Sequence, residues 1–199
     1  MKNQALIVVD YQKDFIDGSL AVTGGAELAP RIARLVSEYR AKSGMVIATR
    51  DWHPQKSVHF DSWPIHCVAG PRGAEYGEID TSAIDVEIFK GYMNTHDGYS
   101  GFEGVSALIG SPQDGYEKAP GAKTLEEVLA ESRIRIVRIV GLATDFCIKA
   151  TALDAAKLRN GGTLDRVIVQ RSGIAAVNLK EGDGERAIEE MLAAGIEIE

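Results

Sequence analysis

The sequence predicts an α/β fold with a doubly wound, mainly parallel six-stranded sheet and helices on both faces. Two observations support this prediction. Apolar runs of strand length alternate along the chain with longer segments whose apolar residues recur at helical spacing. The first run, residues 5–9, is apolar at every position, as expected of a parallel strand that is covered on both faces. Strands that alternate with helices pair in parallel through right-handed crossovers.

The first half of the chain contributes three strands and one helix to this prediction. Residues 5–9, 45–49 and 86–89 are apolar runs of strand length. Residues 26–43 carry apolar side chains at helical spacing, and Gly44 is predicted to end this helix. Residues 51–83 are rich in proline and glycine and are predicted to be a long loop, which in a compact domain is usually functional. Residues 91–122 are predicted to be irregular.

The second half contributes three more strands and three helices. Thr124 and Glu127 fit a capping box that opens a helix through residue 132. A strand over residues 135–140 leads to a helix over residues 147–160, which Gly161 and Gly162 are predicted to end. Strands over residues 166–170 and 196–198 flank a last helix over residues 181–194. Because no repeat or linker interrupts this pattern, residues 1–199 are predicted to form a single domain.

Composition narrows the classes of function. The net charge is −7 and no block is rich in Lys or Arg, which argues against binding to nucleic acid or to an anionic membrane. The first apolar run is too short for a signal-peptide core or a membrane span. The two cysteines, Cys67 and Cys147, lie in dissimilar contexts, so we expect no disulfide framework and predict a cytoplasmic protein. The sequence leaves open whether the chain forms a homo-oligomer.

Three reactive side chains are predicted to meet at one edge of the sheet. Asp10 ends the first strand, Lys90 ends the third, and Cys147 lies between the fourth strand and its helix. A helix N-terminus at Cys147 would favour a thiolate, and a nearby lysine would lower the pKa of the thiol further. Burial would raise the pKa of Asp10 and suit it to proton transfer. Each residue has an ordinary structural interpretation, but their coincidence favours nucleophilic catalysis.

A second cluster, rich in histidine, follows the second strand. Asp51 and His53 lie two residues apart, so in extended backbone they face the same side, and His59 and His66 follow closely. Imidazole and carboxylate ligands suit a divalent transition metal such as zinc, iron or manganese. The same spacing also fits loop histidines that hydrogen-bond to backbone carbonyls.

The residues of both clusters lie in motifs of a known family. Along nearly its whole length the chain resembles nicotinamidases (pyrazinamidase-type) of the isochorismatase-like cysteine hydrolase superfamily. The matching motifs are VVDYQKDF (8–15), TRDWH (49–53), HF (59–60), SWPIHCVAG (62–70), FKG (89–91), GYSGFEG (98–104) and GLATDFC (141–147). The Asp-x-His and Trp-Pro-x-His-Cys motifs indicate the nicotinamidase branch, since most other branches lack this metal site.

The resemblance implies a role for each matched residue. The implied catalytic triad is Asp10, Lys90 and Cys147, and the implied oxyanion hole is formed by the N–H groups of Ala143 and Cys147, with a cis peptide before Ala143. The implied ligands of one divalent metal ion are Asp51, His53 and His59, with His66 as a fourth ligand or a close partner of one. The implied walls of a pyridine pocket are Phe15, Trp63 and Tyr99.

The implied reaction is hydrolysis of nicotinamide, or of a similar small aromatic amide, to the acid and ammonia through a cysteine thioester. The nearest alternative is a metal-independent amidohydrolase of the same superfamily that acts on a carbamoyl or ureido compound. A nucleotide-binding module is a poor fit, because no Gly-x-Gly-x-x-Gly or Gly-Lys-Ser/Thr loop follows a strand. A non-catalytic interaction protein would have no need of three reactive groups at one sheet edge.

Overall fold

The central feature of the fold is a parallel six-stranded sheet, described here from a computed structural model of residues Met1–Glu199. The strands are β1 (Gln4–Val9), β2 (Met45–Asp51), β3 (Val86–Lys90), β4 (Leu108–Ser111), β5 (Gly115–Lys118), β6 (Ile136–Leu142), β7 (Arg166–Ala175) and β8 (Glu197–Ile198). The sheet has the order β3-β2-β1-β6-β7-β8, and each neighbouring pair in it is parallel. The predicted fold class is confirmed.

Helices cover both faces of this sheet. They are α1 (Lys13–Ile16), α2 (Ala29–Ala41), α3 (Leu125–Glu131), α4 (Lys149–Asn160) and α5 (Asp183–Ala193). Alternate side chains of β1 enter two separate cores: Leu6 and Val8 join the core that contains α2, whereas Ile7 joins the core that contains α3, α4 and α5. No helix is long and apolar enough to cross a membrane.

The order of the strands places a crevice between β1 and β6. Chain connections run outward in opposite directions from this pair, so the loops that follow β1 and β6 diverge and leave a gap at their carboxyl ends. Asp10 follows β1 directly, and Cys147 follows β6 within five residues. The candidate catalytic residues therefore lie at the point where an open α/β sheet ordinarily binds its ligand.

Two local details differ from the prediction. The left-handed residue that ends α2 is Ser43, with φ of 54°, not Gly44. Gly44 donates its N–H to Tyr39 O at 2.7 Å, and a Cβ at Gly44 would lie 2.7 Å from Tyr39 Cδ1. Close approach, not a positive φ, therefore explains this glycine.

The stretch from residue 91 to 122, predicted to be irregular, contains the antiparallel hairpin β4–β5. Each strand has only four residues, and most of them are exposed or half-buried, so no apolar alternation marks the hairpin in the sequence. Gly110 and Gly115, both with positive φ, allow the strands to pair closely there. Helix α1, in the loop after β1, has only four residues and is too short to show an apolar periodicity in the sequence.

Gly141 provides a test of how tightly β1 and β6 are joined. Its φ is 119°, and a Cβ added there would lie 1.9 Å from Val9 O, so Gly141→Ala must displace backbone in the middle of the sheet. We expect the free energy of unfolding to fall by about 2–4 kcal/mol, measured by urea denaturation. Gly121→Ala is the control, because its φ is also positive at 79° but no atom lies within 4 Å of the added Cβ. Equal losses in the two variants would contradict the proposed clash.

Candidate active site

A buried ammonium group lies at the centre of the candidate active site. Lys90, the last residue of β3, is fully buried. Its Nζ contacts Asp10 Oδ2 at 2.9 Å, Asp51 Oδ1 at 2.6 Å, Gly98 O at 3.0 Å and Cys147 Sγ at 3.4 Å. Although burial opposes the charge, the two carboxylates raise the pKa of Lys90 well above its usual range. The structure thus brings the three residues predicted to be catalytic into one cluster.

Asp10 is held in a defined orientation by Thr49, the fifth residue of β2. Thr49 Oγ1 donates to Asp10 Oδ1 at 2.6 Å and accepts from the N–H of Asp10 at 3.1 Å. Asp10 itself has a positive φ of 44°, which turns the chain out of β1. Burial raises the pKa of Asp10 to about 6, with Lys90 opposing this shift and Asp51 adding to it. A carboxyl group of that pKa can exchange a proton near neutral pH.

Cys147 lies inside a wide turn, not at the start of a helix as the sequence predicted. Residues Thr144–Ile148 form this turn, in which Ile148 N–H donates to Ala143 O at 3.1 Å, and α4 begins only at Lys149. An i→i−5 bond of this kind is typical of a π-turn, which often occurs at functional sites. The peptide bond that precedes Ala143 is cis, as the resemblance implied.

The electrostatic setting of Cys147 also differs from the prediction. Burial raises the pKa of the thiol well above its usual range, Lys90 opposes the shift, and Asp10 and Asp51 add to it. Burial thus opposes the thiolate that was expected at a helix N-terminus, and α4 begins only after Cys147. A base beside the sulfur would favour ionisation of the thiol, and an Asp10 carboxylate oxygen lies within 4.8 Å of Sγ.

Asp51 connects this cluster to the histidines. Its Oδ1 contacts Lys90, and its Oδ2 lies 3.8 Å from His53 Nε2. Burial alone would raise the pKa of Asp51, but Lys90 and then His53 outweigh it and hold the pKa well below its usual range. The Gln12 side chain fixes the Asp51 backbone, accepting from its N–H at 2.8 Å and donating to its carbonyl at 2.9 Å. Asp51 is therefore an ionised and immobile carboxylate.

The long loop after β2 folds so that its three histidines meet. His53 N–H donates to Cys67 O at 3.0 Å. This hydrogen bond brings the segment around Cys67 back alongside His53, so that His66 packs against His53. His59 lies in a 3-10 turn, Val58–Asp61. The ring centroids are 4.5 Å apart for His53 and His59, 5.1 Å for His53 and His66, and 5.0 Å for His59 and His66. The structure thus brings both His59 and His66 to the cluster.

The donor atoms of this cluster fit a divalent transition metal. His53 Nδ1 lies 2.8 Å from Gly91 O and His66 Nδ1 lies 2.7 Å from Pro64 O, so each Nδ1–H donates and each Nε2 is left for another partner. His53 Nε2 is buried without a hydrogen-bond partner. Burial lowers the pKa of His59 to about 4 and also lowers the pKa of His66, which keeps both imidazoles neutral, as metal ligands must be. The three histidines, with Asp51 Oδ2 3.8 Å from His53 Nε2, form a nitrogen- and carboxylate-rich site.

An aromatic pocket opens onto both clusters. It encloses about 410 Å³ free of protein atoms, including space that is open to solvent, and its lining includes the three predicted wall residues Phe15, Trp63 and Tyr99. Trp63 Nε1–H donates to Tyr99 Oη at 3.0 Å, which fixes the two rings relative to each other. The same pocket is lined by Ala143, Cys147, Asp51, His59 and His66. A flat aromatic ligand in it would face the thiol at one end and the histidines at the other.

Sequence reasoning missed several residues of the site. Phe146 and Val177 line the pocket, Thr49 orients Asp10, and Asp97 contacts His59. Phe146 and Thr49 lie inside the motifs quoted above and could have been considered from their positions. Val177 follows β7 and Asp97 lies in the loop after β3, outside the quoted motifs, so neither carries a signal in the sequence alone.

Comparison with known proteins agrees with this geometry. The model of the Isochorismatase domain family matches residues 4–198. A protein of Mycobacterium tuberculosis named nicotinamidase/pyrazinamidase is 38% identical over 208 aligned positions, which cover 98% of this chain and 97% of that protein. The family resemblance predicted from the motifs is confirmed.

Solved structures give the same result. The pyrazinamidase of Pyrococcus horikoshii in complex with zinc superposes with a TM-score of 0.81 at 33% identity, over 99% of this chain and 98% of that chain. PnC1 from L. infantum in complex with nicotinate superposes with a TM-score of 0.81 at 29% identity, over 100% of this chain and 93% of that chain.

The histidine cluster predicts a measurable metal content. After loading with zinc and dialysis, we expect the purified protein to retain about one zinc ion per chain. Removal of a hydrogen-bond partner of a ligand typically weakens metal binding by roughly 10- to 100-fold, so we expect His53→Ala, which removes a ligand itself, to weaken zinc binding by more than this. The measurement is the metal-to-protein ratio by elemental analysis. His96→Ala is the control, since His96 is exposed and contacts only Glu103 among charged groups. Equal retention by both variants would show that the cluster does not hold the metal.

Proposed function

This chain belongs to the isochorismatase family, and from that premise we propose that it is a nicotinamidase, which hydrolyses nicotinamide to nicotinate and ammonia. The observation that carries the proposal is that Lys90 pairs with two carboxylates and also contacts the Cys147 sulfur. One carboxylate is Asp10, beside the thiol, and the other is Asp51, beside the histidines. The names of the matched relatives support the substrate. The match over residues 4–198 supports a single domain.

In the proposed reaction Asp10 acts first as a base. It accepts the proton of the neutral Cys147 thiol, and the resulting thiolate attacks the carboxamide carbon of the substrate. As the tetrahedral intermediate collapses to a thioester, Asp10 returns the proton to the departing ammonia. Asp10 then takes a proton from a water molecule that attacks the thioester and returns it to the departing sulfur, which releases the acid and restores both the thiol and the ionised base. Lys90, 2.9 Å from Asp10 and 3.4 Å from the sulfur, balances the negative charge wherever it resides.

The proposed oxyanion hole is formed by the backbone N–H groups of Ala143 and Cys147. Both residues line the pocket, and the wide turn between them places Cys147 beside the residue that follows the cis peptide. Each such donor typically contributes roughly 3 kcal/mol to stabilisation of the tetrahedral intermediate.

Asp51, His53, His59 and His66 are the residues that would hold one divalent ion, either zinc, iron or manganese. Such an ion, when bound, would coordinate the ring nitrogen of nicotinamide and so orient the carboxamide. Phe15, Trp63 and Tyr99 would stack against the pyridine ring and exclude water from it. The converging histidines favour this function over a metal-independent amidohydrolase, which would have no use for them.

The nucleophile is tested by its removal. We expect Cys147→Ala to lower the rate of ammonia release from nicotinamide by on the order of 10⁴-fold or more, because no other thiol faces the pocket. Cys67→Ala is the matched control: Cys67 is also buried, but its sulfur lies against Gly73 O, outside the pocket, so the rate should change only a few-fold. Appreciable turnover by Cys147→Ala with an unchanged circular dichroism spectrum would disprove the thioester route.

The base is tested by pH. Because Asp10 must be ionised to accept the proton and its pKa is about 6, we expect kcat/KM to fall about tenfold per pH unit below pH 6. Folding raises the pKa of Asp10 above its unfolded value, so protonation of Asp10 itself does not destabilise the folded state. Circular dichroism and metal content at each pH are the controls. A profile that stays flat to pH 5 with metal retained would exclude Asp10 as the base.

A further inference from the structure

We propose that Asp97 is a positioning residue that orients the imidazole of His59 toward the metal. The inference deepens the proposed function and rests on its metal site. Asp97 lies in the loop after β3, seven residues beyond Lys90, and no sequence motif assigned it a role.

The first observation is the contact between the two side chains. Asp97 Oδ1 and His59 Nδ1 are in direct contact, and neither of these two buried atoms has a hydrogen-bond partner. Two adjacent buried polar atoms left unpaired would each be costly, and a proton on His59 Nδ1 that is donated to Asp97 would satisfy both. That assignment of the proton leaves Nε2 for a metal.

The second observation is that the other two histidines are arranged in the same way. His53 Nδ1 faces Gly91 O and His66 Nδ1 faces Pro64 O, at 2.8 and 2.7 Å. Each of the three rings therefore has an oxygen acceptor behind it, but for His59 alone that acceptor is a carboxylate. A carboxylate behind a ligand histidine fixes its tautomer and raises its basicity more than a neutral carbonyl does.

The backbone holds Asp97 where this role requires. Gly98 O, one residue further, accepts from Lys90 Nζ at 3.0 Å, so the end of the loop is anchored to the central ammonium. The Asp97 side chain is 33% exposed, against 5% for His59, so Asp97 can be replaced without opening the core. Its effect on metal affinity is therefore separable from folding.

The experiment measures zinc affinity of the metal-free protein by competition with a chromophoric chelator. We expect Asp97→Ala to weaken zinc binding by roughly 10- to 100-fold, and Asp97→Asn, which retains an acceptor oxygen, to recover part of that loss. Asp61→Ala is the matched control: it removes the same charge from the turn that carries His59, but Asp61 is exposed and makes no side-chain hydrogen bond to the cluster. It should bind zinc as the unaltered chain does.

The outcomes separate the inference from the proposed function. A zinc affinity of Asp97→Ala equal to that of the unaltered chain would overturn the inference and leave the proposed function intact. Failure of the unaltered chain to bind zinc would instead overturn the metal site on which both depend. Thermal melts in the presence of chelator show whether a variant fails to fold. If Asp97→Ala does not fold, the zinc affinity of Asp97→Asn is the deciding measurement.

Discussion

The pairing of one buried ammonium with two carboxylates is the constraint on which the rest of the site depends. Lys90 is fully buried, and an ammonium group in that position is tolerable only if its charge is balanced and its protons are bonded. Asp10, Asp51 and Gly98 O supply those partners from β1, β2 and the loop after β3. The strand ends and the loop are consequently held in one arrangement, and the groups that do the proposed chemistry are the same ones that stabilise the lysine.

One cation shared between two carboxylates also explains why the two acids differ. Asp51 is approached by His53 as well as by Lys90, and its pKa lies well below the usual range. Asp10 has Lys90 and the neutral Thr49 hydroxyl, while Asp51 repels its charge, and its pKa is raised to about 6. Two carboxyl groups in contact with one ammonium thus acquire separate roles, one as a permanent anion suited to a metal and one as a group that exchanges protons.

The sequence could predict what the sheet itself dictates. Parallel strands end at one edge, so Asp10, Asp51 and Lys90 could be placed together from strand ends alone, and the histidines were marked by their number in one loop. Features that depend on tertiary contacts could not be predicted. The turn around Cys147 leads directly into α4, so the sequence predicts one helix from Cys147 onward and does not separate the two elements. Asp97 contacts His59 only because two distant loops meet. Ser43 ends α2 although glycine is the usual residue there.

Burial of the Cys147 thiol is the point at which the structure changes the chemical argument most, because it opposes a resting thiolate. A thiolate stabilised by a helix dipole would carry a charge in the resting site, whereas a proton passing from Cys147 to Asp10 only moves a charge. Before the transfer the cluster holds Lys90, Asp51 and an ionised Asp10; afterwards the sulfur carries the charge of Asp10, and the net charge is unchanged. Burial raises the pKa of both groups, so it penalises the negative charge before the transfer as well as after it. The ammonium lies 2.9 Å from the oxygen and 3.4 Å from the sulfur, and it can stabilise the charge at either end. A pocket lined largely by apolar side chains is therefore compatible with thiol activation, provided that the base and the cation are buried with it.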